Sequence, residues 1–390
     1  FKICSLILSN SKISAKGFID LLTSSLLYQI IRQKRAFFSI IWKKGEIFMK
    51  YPAFLKKDAT IYLVAPSYGS PYDPYKSRLE KSIQIFQEMG LTIQKGPNIF
   101  HLQKEESNTP LLRAKELMDA YCSSCQFVWS VAGGELMTLI LPYLDKQKIM
   151  ETTPKWFMGY SDNTIFTYFL TTSCDIASIY SYHPHSYCVQ PWPAFLKDPL
   201  SFLFGKKTSF QSYEKYEKEE KKEVGNPFYS FNLTEPVYWK SLNETKKETF
   251  MGRCIGGCLD VLLAFAGTCY DATLSFIHQY QQDGFIWYFD IFDLTPVSLS
   301  LALFKLKTLG WFKNVKGFLI SRIPNYSMAQ NYHGDLTYEE VLKQHLQEYQ
   351  VPVLYDCDIG HVSPMLPMIN GAIMKVQYQK NKAKIHYILK

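Results

Sequence analysis

Residues 127–145 read FVWSVAGGELMTLILPYLD, a short apolar strand, a Gly133-Gly134 turn and an apolar helix that starts at once. A brief apolar run bounded by glycines reads as a buried strand, and its direct passage into a helix is the βα corner of a parallel sheet. Such a corner exposes unpaired backbone N–H groups beside the positive end of the helix dipole, a setting that can hold an oxyanion. The side chains offered there are Glu135, Leu136, Met137 and Thr138, with no serine or cysteine among them.

The same alternation extends outward in both directions. Residues 59–65 form a β-branched and aromatic run ending in Pro66-Ser67-Tyr68-Gly69, and Leu79, Ile83, Phe86 and Met89 then recur at helical spacing up to Gly90. A strand from Thr92, a helix over 110–121, and a strand over 156–160 follow, the last closed by Ser161-Asp162-Asn163-Thr164. Ser161 or Asp162 reads as the N-cap of a helix running to about Thr172. After residue 249 a second series begins: a strand through Ile255, Gly256-Gly257, a helix with Leu259, Leu262, Leu263 and Ala266, and a strand over 285–289 ending at Asp290. Helices over 296–309 and 338–349, strands over 317–323 and 351–354, and the loop Gly360-His361-Val362-Ser363-Pro364 complete it. This pattern predicts an α/β protein with parallel sheets, an N-terminal domain over 49–205, a polar linker over 206–248 containing SYEKYEKEEKKEV, and a C-terminal domain over 249–390.

Composition narrows the function classes. The 390 residues are 47% hydrophobic and 20% charged, enough apolar content for two cores. Of the formal charge of +8, residues 1–48 hold eight Lys/Arg against Asp20 and Glu46, which leaves the rest nearly neutral and argues against nucleic-acid binding by the body. The apolar runs in that leader are too short to span a bilayer. We expect residues 1–48 to be translated upstream sequence, the domain text starting cleanly at Met49, with an amphipathic extension over 21–31 as the alternative. Nine scattered cysteines, an odd set, read as reduced thiols in a cytoplasmic protein. Cys122-Ser-Ser-Cys125 ends a helical stretch, where no dipole would lower a thiol pKa, so neither a redox nor a metal role is assigned to it.

Functional groups in open α/β folds collect at the carboxyl ends of strands. Three such ends carry candidates: the Gly133-Gly134 corner, Asp290 and His361. They supply the parts of a hydrolytic triad in the order corner, acid, base. No GxGxxG and no GxxxxGK[ST] occurs, so no nucleotide cofactor is expected.

Five ordered motifs resemble those of the LD-carboxypeptidases and the related microcin-immunity peptidases: GGELMTLILPYLD, GYSDNT at 159–164, RCIGGCLDVLLAFAGT at 253–268, FIWYFDIFDL at 285–294 and IGHVSPMLPMINGA at 359–372. The resemblance implies a flavodoxin-like N-terminal domain, a smaller β/α C-terminal domain, an active site between them, a homodimer, and cytoplasmic metal-free serine peptidase activity. The implied substrate is a murein tetrapeptide or a peptide antibiotic. Transferred by position, the family's nucleophile falls on Met137, its acid on Asp290 and its base on His361. A thioether has no proton to give up and is a feeble nucleophile towards an amide, and Asp290 is one methylene shorter than the family's glutamate. Two expectations follow. Either Thr138 or Ser130 makes the attack, or His361 activates water, at an oxyanion turn built by Gly133 and Gly134; or the chain keeps the groove without the chemistry and acts as a peptide-binding or regulatory protein.

Overall fold

The computed structural model describes residues 48–221, 225–324 and 333–390, and Met49–Lys390 form one compact unit. The expectation for residues 1–48 therefore lies outside the described residues except at Phe48.

The first half alternates as expected: β1 (Thr60–Val64), α1 (Tyr75–Glu88), β2 (Thr92–Lys95), α2 (Pro110–Tyr121), β3 (Phe127–Ser130), α3 (Lys146–Glu151), β4 (Trp156–Gly159), α4 (Thr164–Cys174), β5 (Ser178–Tyr180) and α5 (Ala194–Leu203). These five strands pair in parallel in the order β2-β1-β3-β4-β5, the flavodoxin-like arrangement whose switch point falls between β1 and β3. Every residue of β3 and β4 is buried, as strands covered on both faces must be. The segment after the Gly133-Gly134 turn differs from expectation. It is a 3₁₀-helix over Met137–Tyr143 containing Pro142, which cannot donate into an α-helical ladder, so no α-helix dipole stands at this corner.

Residues 206–248 are more than a linker. They supply β6 (Ser209–Gln211), the hairpin of β7 (Lys215–Tyr216) and β8 (Glu235–Pro236), and β9 (Lys240–Ser241). The second sheet adds β10 (Lys247–Cys258), β11 (Phe285–Asp290), β12 (Val315–Ser321), β13 (Val353–Cys357), β15 (Ile373–Gln379) and β16 (Lys382–Ile388), while β14 (Met368–Asn370) joins the first sheet antiparallel to β5. The order β6-β16-β15-β10-β11-β12-β13-β9 makes this the larger sheet in strand number, with β10 to β13 parallel at its centre. Two- and three-residue strands at sheet edges are too short to show an apolar alternation, which is why the sequence pattern hides β6 and β9. The helices of this half are α6 (Leu259–Phe265), α7 (Thr273–Gln279), α8 (Pro296–Thr308) and α9 (Tyr338–Leu346).

One contact locks the two sheets together near the site. Thr164 Oγ1, at the start of α4, accepts the Cys258 N–H at 2.9 Å, and a Cβ on Gly257 would overlap the Thr164 side chain. Glycine at 257 is what lets β10 approach α4. None of the helices among the described residues is long and apolar enough to cross a membrane.

Candidate active site

The parallel strands of the two sheets end around a shared cavity of about 1310 Å³. From the first sheet come Gly133, after β3, and Ser161, immediately after the β4 turn; from the second comes His361, on the loop after β13. Asp290, the last residue of β11, is fully buried behind His361.

The geometry is that of a hydroxyl, an imidazole and a carboxylate in line. Ser161 Oγ lies 3.0 Å from His361 Nε2, and His361 Nδ1 lies 2.8 Å from Asp290 Oδ2. Ser161 adopts φ +60°, the left-handed region that costs a side-chain-bearing residue roughly 1–2 kcal/mol. Strain of this kind at a strand-to-helix turn is how a nucleophile elbow pushes its side chain out of the backbone. The His361 ring is held between Phe292, with centroids 4.3 Å apart, and the edge of Tyr160 at 5.3 Å.

Asp290 makes its contact despite the shorter side chain. Gly360, at φ +76°, lets the histidine loop come down onto the carboxylate, where any Cβ would overlap Asp290; the His361 N–H also donates to Asp290 Oδ1 at 3.3 Å. Backbone approach at Gly360 thus seats the histidine loop on this carboxylate.

Met137 does not stand at the elbow. Its side chain is fully buried in the core, and its N–H donates to Asp162 Oδ2 at 2.8 Å. Ser130 is also buried, its hydroxyl donating to Ala132 O at 3.0 Å, and Thr138 sits half-buried on the 3₁₀-helix. The hydroxyl facing His361 belongs to Ser161, whose expected role as a helix cap is not what the structure contains: the N-cap of α4 is Asn163, without a side-chain cap bond. The positional transfer failed because GGELMT and GYSD are adjacent parts of one site. Asp162 bridges them, accepting both the Met137 N–H and the Ser67 hydroxyl, the latter at 2.5 Å. Locally the chain offers only a serine two residues past the strand-ending Gly159, a pattern that a helix cap shares.

The Gly133-Gly134 turn keeps a place in the site. A Cβ on Gly133 would stand 3.0 Å from Ser161 Cβ and 3.2 Å from its Oγ, so bare backbone abuts the hydroxyl. Beneath the elbow, Asn163 Nδ2 donates to Ala132 O at 2.8 Å and to Tyr160 O at 3.2 Å, tying the glycine turn to the serine turn. His183 stacks on Tyr160 with centroids 4.4 Å apart, and burial holds its pKa well below the usual histidine value, so it is neutral. Burial pushes the Asp162 carboxyl up to about 6, partly offset by the Ser67 and Met137 hydrogen bonds.

Cys258, Asp290 and His361 place one ligand atom each within 4.8 Å of one another, a donor set a metal could use. Two of these donors are already committed to partners in the protein: His361 Nδ1 stands 2.8 Å from Asp290 Oδ2, and the same oxygen accepts the Tyr180 hydroxyl at 2.5 Å.

Comparison with known proteins gives a consistent picture. Residues 61–181 match the LD-carboxypeptidase N-terminal domain, and residues 251–376 the LD-carboxypeptidase C-terminal domain. The chain is 21% identical over 318 residues to the microcin C7 self-immunity protein MccF of Escherichia coli, covering 80% of this chain and 88% of that one. It is 24% identical over 333 residues to a probable murein peptide carboxypeptidase of Bacillus subtilis, covering 84% and 92%. Among solved structures, MccF in complex with aspartyl sulfamoyl adenosine superposes with a TM-score of 0.70 at 20% identity, covering 86% of this chain and 98% of that one. An MccF-like protein from Bacillus anthracis gives 0.69 at 19%, covering 87% and 100%. With both domain models matched in order on the two halves that build the site, the chain belongs to the LD-carboxypeptidase family.

Proposed function

We propose that the protein is a working serine-type peptidase that cleaves a peptide amide, with Ser161 as nucleophile, His361 as general base and acid, and Asp290 orienting the imidazole. The observation that carries this reading is the alignment of Ser161 Oγ with His361 Nε2 at 3.0 Å and of His361 Nδ1 with Asp290 at 2.8 Å. It favours Ser161 over Met137 as the reacting position and speaks for a working enzyme over an inactive binder.

The steps follow from the geometry. Ser161 Oγ attacks the amide carbonyl carbon while its proton passes to His361 Nε2, and Asp290 stabilises the imidazolium that forms. The carbonyl oxygen, now anionic, is received by backbone at the Gly133-Gly134 turn, which lies against the hydroxyl. His361 returns the proton to the leaving amine, and water then hydrolyses the acyl-serine by the same route in reverse roles.

Family membership supports a murein tetrapeptide, losing its terminal D-alanine, as the substrate class; the B. subtilis relative is a probable murein peptide carboxypeptidase, and the E. coli relative is a self-immunity protein. Homodimer assembly and a cytoplasmic place are proposed on the resemblance alone, and sedimentation of the purified chain tests the first. To test the chemistry, protein starting at Met49 is incubated with a murein tetrapeptide and D-alanine release is followed. Release by the wild type and none by Ser161→Ala is the expected result. Equal release by both overturns the assignment of Ser161, and stoichiometric binding without release, together with no phosphonylation of Ser161 by a fluorophosphonate, overturns the enzyme reading.

A further inference from the structure

We infer that Tyr180 is a positioning residue that couples the backbone of the nucleophile to the acid of the triad, an inference that rests on the proposed Ser161–His361–Asp290 chemistry. Tyr180 closes β5 and is fully buried. Its hydroxyl accepts the Ser161 N–H at 3.0 Å and donates to Asp290 Oδ2 at 2.5 Å. The carboxylate oxygen that receives the phenol is the one 2.8 Å from His361 Nδ1. One hydroxyl, buried and outside the cavity lining, therefore touches both ends of the catalytic line.

Two consequences follow. At the acceptor end, the phenol satisfies the N–H of a residue held at φ +60°, which helps keep the elbow in a backbone region that serine otherwise avoids. At the donor end, a hydrogen bond to the carboxylate shares the negative charge that would otherwise be directed wholly at the imidazolium. Tyr180 thus restrains how strongly Asp290 holds a proton on His361.

The surrounding groups leave this effect readable. Cys258 and Asp260 face the bridge from the β10–α6 junction, Tyr288 from β11, and Tyr160 and His183 from the N-terminal half. Burial keeps Cys258, the three tyrosines Tyr160, Tyr180 and Tyr288, and His183 in their neutral forms around neutral pH. The Asp260 carboxyl, raised by burial, is anchored by the Phe292 and Asp293 N–H groups and is common to wild type and variant.

The test is the pH dependence of Ser161 labelling by a fluorophosphonate, paired with an NMR titration of the His361 ring. Tyr180→Phe is expected to fold, to label at least about tenfold more slowly, and to shift the acid limb of the profile and the His361 titration upward by about one pH unit. A fluorotyrosine in place of Tyr180, a stronger donor of the same shape, is expected to shift both downward. Tyr187→Phe, which removes a buried hydroxyl with no hydrogen-bond partner among the described residues, is expected to change neither. A folded Tyr180→Phe protein whose acid limb and ring titration stay at the wild-type pH overturns the inference, whatever its rate. Should Tyr180→Phe fail to fold, an unmoved profile in the fluorotyrosine protein does the same. If instead Ser161→Ala still labels at the wild-type rate, the triad reading is what fails, and the His361 titration alone then decides the bridge.

Discussion

Replacing Gly360 by alanine is expected to disable the site while leaving the fold nearly intact. Gly360 sits at φ +76°, so alanine there pays roughly 1–2 kcal/mol for the left-handed backbone. The decisive cost is local. The new Cβ would fall inside the Asp290 carboxylate, deeper than van der Waals contact allows by more than about 1 Å, and the fully buried Asp290 has nowhere to retreat. The loop must therefore lift, carrying His361 with it away from Ser161 and Asp290. A misplacement of about 1 Å in a catalytic constellation costs on the order of a hundredfold in rate. Gly267→Ala is the matched control: φ is +83°, but the nearest atoms to its Cβ are Leu309 carbons at 3.7 and 3.8 Å, ordinary contact far from the triad. Both variants are followed by fluorophosphonate labelling and by thermal melting. Gly360→Ala should label at least about a hundredfold more slowly, and Gly267→Ala at the wild-type rate, with both melting a few degrees low. Labelling of Gly360→Ala at the wild-type rate would refute the idea that the bare Gly360 backbone is what seats His361 on Asp290.

Other substitutions probe the same geometry. Met137→Ala should destabilise the fold by about 2–5 kcal/mol in urea titrations, because the side chain is fully buried, yet label normally per folded molecule. Asp290→Glu, which lengthens the acid by one methylene, should label roughly tenfold more slowly or worse, since the added methylene overpacks a site already closed by Gly360; faster labelling would show that the shorter acid is a handicap. Asp162 titrates near 6 in the fold against an ordinary 3.8. A raised acid favours the folded state below about pH 4 and loses that advantage as pH climbs through 6, so the stability of wild type relative to Asp162→Asn should fall by roughly 3 kcal/mol between pH 4 and 8, as measured by urea unfolding at each pH. A constant difference would mean that the Ser67 and Met137 hydrogen bonds offset the burial.

Much of the architecture is legible in the chain itself. Apolar runs such as FVWS at 127–130 and FIWYF at 285–289 alternate with helical periodicity, and buried parallel strands have to read that way because both of their faces are covered. Asp290 and His361 stand together at strand ends, where a parallel sheet collects functional groups and where the sequence pattern singles them out. The edge strands within residues 206–248 were not legible, since two- and three-residue strands leave no periodic trace.

What the sequence by itself determined is therefore the pair of parallel sheets and the strand ends at which Asp290, His361 and the glycine turn stand. Which hydroxyl meets His361 was decided by tertiary structure alone. Locally, Ser161-Asp162-Asn163-Thr164 is a good helix start, and nothing within hydrogen-bonding range along the chain distinguishes a cap from a nucleophile. The distinction comes from a histidine 200 residues away, carried to Ser161 by a second sheet that docks through Gly257 and Thr164, and from a backbone turned to φ +60°. Contacts of that range depend on how two sheets pack, a property that no local pattern encodes.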